Sequence, residues 1–305
     1  MISPALLFGH GNRRGITSMV IGMVLFVGND VLIKLASETA SLGQIMLVRG
    51  AFANAAILLL LWGNGLLPQL PLLFNRVVLA RGILDLLASG FYLLALFNMP
   101  IANSSAIGMT SPLLMTAVAA LFLKETVGWR RWTAIVCGFG GVLLIVQPRA
   151  EGFNSWSLLA VISVVFIVAR DLTTRRVGIG IPSLIVTAGT SILVMLGGGA
   201  LTLSQGWQPM SLHATLLLAV AAFFLIGGYQ LIIDAMRHGE LSLVGPFRYT
   251  ALVFSLLGGY LVWGDIPNLL AWAGIATVVG SGLYVLHRER LRQRNLLALS
   301  TKTAI

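Results

Sequence analysis

Charge is scarce in this chain. Of its 305 residues only 10% are Asp, Glu, Lys or Arg, against roughly 25% in soluble domains. That shortage argues against a globule wetted on every side. Cysteine is scarcer still: the single Cys137 lies inside an apolar block and can build neither a disulfide nor a cysteine-rich metal site. The four histidines (His10, His213, His238 and His287) fall at or beyond the ends of apolar blocks. No H-E-x-x-H motif occurs, no histidine stands beside a membrane serine or the cysteine, and no G-x-x-x-x-G-K-[ST] phosphate loop is found. The "GFGG" at 138–141 sits within an apolar block, where it serves helix packing and does not cradle phosphate. These absences argue against a metallohydrolase, a nucleophilic enzyme and a nucleotide-driven pump. The expectation is a non-enzyme with no cofactor and no metal.

What the chain has is hydrophobicity: 57% of residues are apolar, gathered in blocks of roughly 18 or more, enough to cross ~30 Å of hydrocarbon. The spacing predicts ten spans, at 15–36, 42–64, 76–97, 101–123, 130–147, 154–174, 180–203, 212–236, 240–263 and 269–287. The gaps between them are too short for a soluble domain. The formal charge of +10 is spread through these gaps, so it reads as orientation in a bilayer and not as a nucleic-acid footprint. With the N-terminus inside, fifteen of the twenty basic residues are internal and only Lys34 and Arg149 external. The expected arrangement is therefore multi-pass, with both termini cytoplasmic. The basic run Arg288 to Arg294 reads as a topology anchor against the lipid surface.

The halves repeat. At an offset of 140, Ala95 meets Ala235, Thr110 meets Thr250, Glu125 meets Asp265, Trp132 meets Trp272 and Gly140 meets Gly280; at 141, Asp30 meets Asp171. Five spans per half is an odd number, so the second half enters the membrane from the other side. This predicts an all-α membrane protein of two inverted five-helix repeats, residues 1–148 and 149–305, suited to alternating access. The stretches "IANSSAIGMTSPLLMTAVAALFLKETVGWRRWTAIVCGFGGVLLIV" and "ELSLVGPFRYTALVFSLLGGYLVWGDIPNLLAWAGIATVVGSGLY" resemble the paired terminal helices of EamA-type proteins in the drug/metabolite transporter superfamily. The chain looks most like that family's ten-helix bacterial exporters of aromatic amino acids. Two departures stand out: the second acid is Asp265, not Glu, and the proline of the ninth span is shifted from the position of Pro112. The resemblance implies a secondary transporter of small metabolites, exporting aromatic or apolar amino acids. The alternative is import of a vitamin or S-adenosylmethionine, and a non-transporting membrane protein is a remoter reading. Ten spans can enclose a pathway in one chain, so a monomer is expected, with a small-molecule substrate and the lipid bilayer as its partners.

Polar residues inside spans cost roughly 2.5–3.5 kcal/mol when charged, so each needs a reason. Asp30 and Lys34, four apart in the first span, lie at a depth similar to Arg49 in the second. They form either an ion-pair cluster that fixes packing or a coupling site for substrate or protons. Arg81 and Asp85 repeat the spacing in the third span, and Asp85 is placed to answer Arg248 of the ninth. Arg248, flanked by Pro246 and Tyr249, is alternatively a carboxylate clamp. The resemblance implies that Tyr92, Tyr229, Gln230 and Tyr249 line a central cavity, with Asn29, Asn103, Met109 and Thr110 as weaker candidates. Each tyrosine is equally readable as an anchor or packing residue. Pro112 and Pro246 interrupt span hydrogen bonding and are hinge candidates. Glycines 138, 140, 141, 274, 280 and 282 predict close packing of the fifth and tenth spans.

Overall fold

A computed structural model describes residues 10–122, 128–147, 155–178, 180–238 and 241–303. Lys124, Glu125, Arg149 and the expected boundary at 148/149 lie outside the described residues, as do the side chains of Arg237, Arg290, Arg292, Arg294 and Lys302. Ten spans follow in order: α1 (His10–Ala36), α2 (Leu42–Gly63), α3 (Arg76–Asn98), α4a (Ile101–Gly108) with α4b (Ser111–Phe122), α5 (Trp129–Val146), α6 (Trp156–Thr174), α7 (Ser183–Gln205), α8 (Leu212–His238), α9a (Leu241–Val244) with α9b (Thr250–Trp263), and α10 (Leu269–Thr303). A 3-10 turn, Leu67–Phe74, links α2 to α3, and another, Gly245–Tyr249, joins α9a to α9b. Among the described residues nine stretches are long and apolar enough to cross a membrane. The ninth span is the exception because its helix is broken.

Local chemistry sets several boundaries. Ser41 caps α2 in a capping box with Gln44, and Asn75 accepts from Val77 N–H at the start of α3. Pro100 and Pro182 stand at the N-caps of α4a and α7, where no intrahelical N–H is required. The helix α10 runs on to Thr303, well past the hydrophobic stretch.

The packing has the symmetry expected of inverted halves. Helix α1 packs on α8, and its counterpart α6 packs on α3; α3 meets α7 as α8 meets α2. The pairs α2–α7, α5–α10 and α4–α9 are their own counterparts and lie on the pseudo-two-fold axis. Glycine makes two of these crossings possible. A Cβ on Gly43 would lie 2.9 Å from the carbonyl oxygen of Gly198, and one on Gly141 2.9 Å from that of Gly274. Gly138 and Gly282 are likewise closely covered, but Gly140 and Gly280 face open space, so the expected glycine face of six residues is narrower. These two occupy equivalent positions and turn away from the crossing together.

The fourth and ninth spans break at equivalent places. Thr110 Oγ1 donates to the Ile107 carbonyl at 2.6 Å, and Thr250 Oγ1 donates to the Phe247 carbonyl at 2.6 Å. Each threonine hydroxyl adds a second donor to a carbonyl that also accepts the threonine's own backbone N–H, so the hydroxyl finds its partner locally at membrane depth. The outer surface exposes Leu59, Trp62, Val136, Phe223 and Leu261, apolar side chains that lipid covers. Cys137 lies exposed on this same surface.

Candidate functional site

Two polar stations lie one above the other along α3; the first is built from α1, α2 and α3 of the first half, and the second joins α3 to α6 and α7 of the second half. The first is at the level of Tyr92, on the side of the bilayer opposite the N-terminus. The Tyr92 hydroxyl donates to Asp30 Oδ2 at 2.7 Å, and Asn29 Nδ2 donates to Asp30 Oδ1 at 3.0 Å. Arg49 Nη1 donates to Asn29 Oδ1 at 3.3 Å. Asn29 and Arg49 are both buried. Asp30 is thus held by two neutral donors, while Arg49 compensates its charge across Asn29. This is a preorganised acceptor site with one carboxylate at its centre. The expected Asp30–Lys34 ion pair does not form among the described residues. Lys34 Nζ instead donates to the Met99 carbonyl at 2.7 Å and lies 4.8 Å from the centre of the Trp263 ring. The reason is reach: the four-carbon stem passes the end of α1 to an unsatisfied carbonyl at the end of α3.

The second station is near Asp85, seven residues along α3 from Tyr92, about 10 Å at 1.5 Å per residue. Arg170 on α6 takes both neighbouring acids: Nη1 donates to Asp85 Oδ1 at 2.5 Å, and Nε donates to Asp171 Oδ1 at 2.9 Å. Asp85 therefore pairs with Arg170 and not with Arg248, because the inverted packing lays α6 directly on α3. Arg81 does not pair with Asp85 four residues on; its guanidinium donates to the hydroxyls of Thr174 and Thr190. The side chains of Asp85 and Arg170 are 13% and 21% exposed, whereas that of Asp171 is 43% exposed. This station is the wetter of the two. Tyr229 on α8 meets Phe26, one turn before Asp30 on α1, edge-on at 5.0 Å between centroids.

Residues 13–147 match the EamA-like transporter family. A riboflavin transporter of Rhizobium johnstonii is 31% identical over 82% of this chain and 87% of its own length. The chain belongs to the EamA-like transporter family. An S-adenosylmethionine uptake transporter of Rickettsia conorii is 24% identical over 90% of this chain and 93% of its own. The pseudopaline exporter CntI of Pseudomonas aeruginosa is 26% identical over 88% and 94%. A solved crystal structure superposes with a TM-score of 0.60 at 20% identity, covering 90% of this chain and 98% of that one, and shows the fold alone. This chain is a multi-pass membrane transporter. These relatives are named for riboflavin, S-adenosylmethionine and pseudopaline, and not specifically for aromatic amino acids.

The remaining expected positions in this EamA-like transporter are dispersed. Arg248 is exposed in the 3-10 turn of the ninth span, and Pro246 stands in the same turn. Met109 caps α4a at the break, with Pro112 three residues on in the first turn of α4b. Tyr249 was expected in the cavity wall, but it is 7% exposed in the apolar core between α9 and α10. Its hydroxyl is buried with no hydrogen-bond partner among the described residues, as is Asn103 Oδ1. Gln230 is exposed beside Tyr229. Sequence reasoning missed Arg170, Thr174 and Thr190. Arg170 was counted among the basic residues of an inner segment, although its place next to the repeated Asp171 is a signal that marks it. It also missed the buried contact at 2.8 Å between the Ser105 and Ser255 hydroxyls, which joins α4a to α9b.

Proposed function

We propose that this chain is a secondary transporter that works by alternating access and carries a small metabolite bearing a flat ring and polar groups. The observation that supports this reading is the pair of polar stations along α3, the second of them bridging the inverted halves, with Tyr92 at the first and Tyr229 against Phe26 one turn further along α1. Charged groups at membrane depth are expensive, and here Asp30, Arg49, Arg81, Asp85 and Arg170 all bond protein groups around α3. Rings stack on Tyr92, Tyr229 and Phe26, while Asp30 and the guanidinium groups of Arg49 and Arg81 meet polar substituents. In this reading the repeats divide at 148/149, both termini are cytoplasmic in a bacterial inner membrane, and the wet station faces the cytoplasm. A flavin-like solute is the first candidate, because the 31%-identical relative is a riboflavin transporter.

Export of aromatic amino acids is the second reading. Arg49 and Arg81 favour it, since both donate to neutral side chains and not to a carboxylate. A substrate carboxylate would supply the missing anion, and Arg248 at the mouth would steer it inward. Purified protein in liposomes, preloaded with unlabelled solute, tests both readings by counterflow of labelled riboflavin, phenylalanine and S-adenosylmethionine. Saturable riboflavin counterflow is expected. Counterflow of phenylalanine alone would install the second reading, and no counterflow of any solute in a panel of small metabolites would defeat both. Direction follows the gradient, since alternating access runs either way.

A further inference from the structure

The halves repeat more than an acid. At an offset of 141, Asp30 and Lys34 at the end of α1 correspond to Asp171 and Arg175 at the end of α6. Each half therefore carries Asp-x-x-x-Lys/Arg on its first helix, at opposite sides of the bilayer. The two basic residues stand in opposite conditions. Lys34 is 9% exposed and ties three helices together. Its ammonium donates to the Met99 carbonyl beyond α3 and lies over Trp263 of α9b, whose indole N–H donates to Glu38 Oε1 at 3.4 Å. The carbonyls at the end of α3 lack intrahelical donors, and Pro100, next in sequence, has no N–H to offer. Arg175 is exposed, and among the described residues its side chain makes no hydrogen bond or ion pair.

The helices repeat that asymmetry. On the Lys34 side α4a packs against α9b, with Ser105 and Ser255 in contact. On the Arg175 side α4b packs on α5, α6 and α10, and Tyr229 and Arg248 are exposed while Asp171 is partly so. On the Lys34 side the ties run across α1, α3 and α9b, whereas on the Arg175 side they run within the pairs α1–α8, where Arg14 meets Asp234 at 2.6 Å, and α3–α6.

We infer that Lys34 and Arg175 are reciprocal gating residues, each holding its own side shut in one of the two facing states. Lys34 holds the state described. In the opposite state the exchange of roles between the halves frees Lys34 from Met99, and Arg175 takes the equivalent place against the last turn of α8. A charge-assisted hydrogen bond is a suitable latch because it is strong when dehydrated and lost once water enters. This inference rests on the alternating-access reading, and the test separates the two.

Spin labels are placed at Thr39 and Asn98 across the Lys34 side, and at Arg176 and His238 across the Arg175 side, in full-length protein with Cys137→Ser in lipid nanodiscs. Pulsed dipolar distances are measured without substrate. Lys34→Met is expected to lengthen the first distance and shorten the second, moving the ratio of states by about fivefold or more. Arg175→Met is expected to move the ratio the other way, and the double variant to return it towards the starting value. Lys34→Arg, which keeps a donor, is expected to restore most of the Lys34 distribution. Two populations that both variants leave unmoved, or move in the same direction, would overturn the latches and leave alternating access standing. One rigid population in every variant would overturn both.

Discussion

Asp30 and Asp171 occupy the same place in two copies of one pattern, yet their surroundings differ. Asp30 accepts from the neutral Tyr92 and Asn29 in a closed part of the molecule. Asp171 shares Arg170 with Asp85 at the open end, where its side chain is 43% exposed. A repeated sequence has thus produced unlike surroundings at equivalent positions, as one facing state of the proposed alternating access would require. The station near Asp30 has no formal ion pair among the described residues, and the station near Asp85 is built on one. In the proposed function the first receives a ligand group. The second is a structural joint that water can reach.

Breaking the joint gives the largest expected effect. Arg170→Ala leaves Asp85, 13% exposed, without its cation; removing one partner of a buried ion pair costs roughly 3–5 kcal/mol. The melting temperature in detergent should fall steeply and transport should disappear. Adding Asp85→Asn should recover much of the stability, because no stranded charge remains. If the double variant melts no higher than Arg170→Ala, the joint is not the reason for the loss. Asp30→Asn probes the other station. It retains size and one acceptor oxygen but removes the one carboxylate bonded there among the described residues, so counterflow should fall by about tenfold or more, with a smaller loss of melting temperature than at Arg170. Equal losses of stability at Asp30 and Arg170 would erase the contrast between station and joint.

Glycine sharpens the comparison next. Tyr249 corresponds at offset 140 to Met109, and Gly282 to Val142. In the second half the Tyr249 hydroxyl occupies the space where a Cβ on Gly282 would stand, whereas Gly280, two residues earlier, faces open space. Gly282→Ala should therefore cost about 1–3 kcal/mol by overpacking, while Gly280→Ala should be neutral or slightly stabilising. Thermal melts of the two variants decide it. Equal melting would mean that Tyr249 swings aside freely.

Hydropathy made the ten spans legible to within a few residues. Two departures have physical causes. The helix α10 continues to Thr303 because Arg, Leu, Glu and Gln are good helix formers beyond the bilayer, so the end of the apolar run is not the end of the helix. The ninth span, one continuous block by hydropathy, breaks around Gly245 and Pro246, and there the proline was the signal that marked the interruption. Ion-pair partners were much less legible. Spacing of four suggested Asp30 with Lys34 and Arg81 with Asp85, but such pairs contribute only about 0.2–0.5 kcal/mol. The cross-helix partners Met99, Thr174, Thr190 and Arg170 won, and they are set by which helices the inverted halves bring together. Periodicity in one helix carries no record of that. The repeat carried part of it: Asp30 and Asp171 were matched, and Arg170 lay one residue away.

The smallest effect tests whether the closed station is a ligand site or only packing. Tyr92→Phe keeps the ring, and with it the apolar contact, but removes one donor to Asp30. A single hydrogen bond to a charged group is worth roughly 1.5–3 kcal/mol, and Asn29 remains to share the load. If the station were only packing, the cost would appear in melting and flux would follow it. If Tyr92 positions Asp30 for substrate, the half-saturating concentration in counterflow should rise several-fold, with the melting temperature almost unchanged. The same substitution at Tyr229, whose hydroxyl makes no hydrogen bond among the described residues, should alter affinity less. A larger effect at Tyr229 than at Tyr92 would move the binding centre to the open station and reverse the assignment of the two levels.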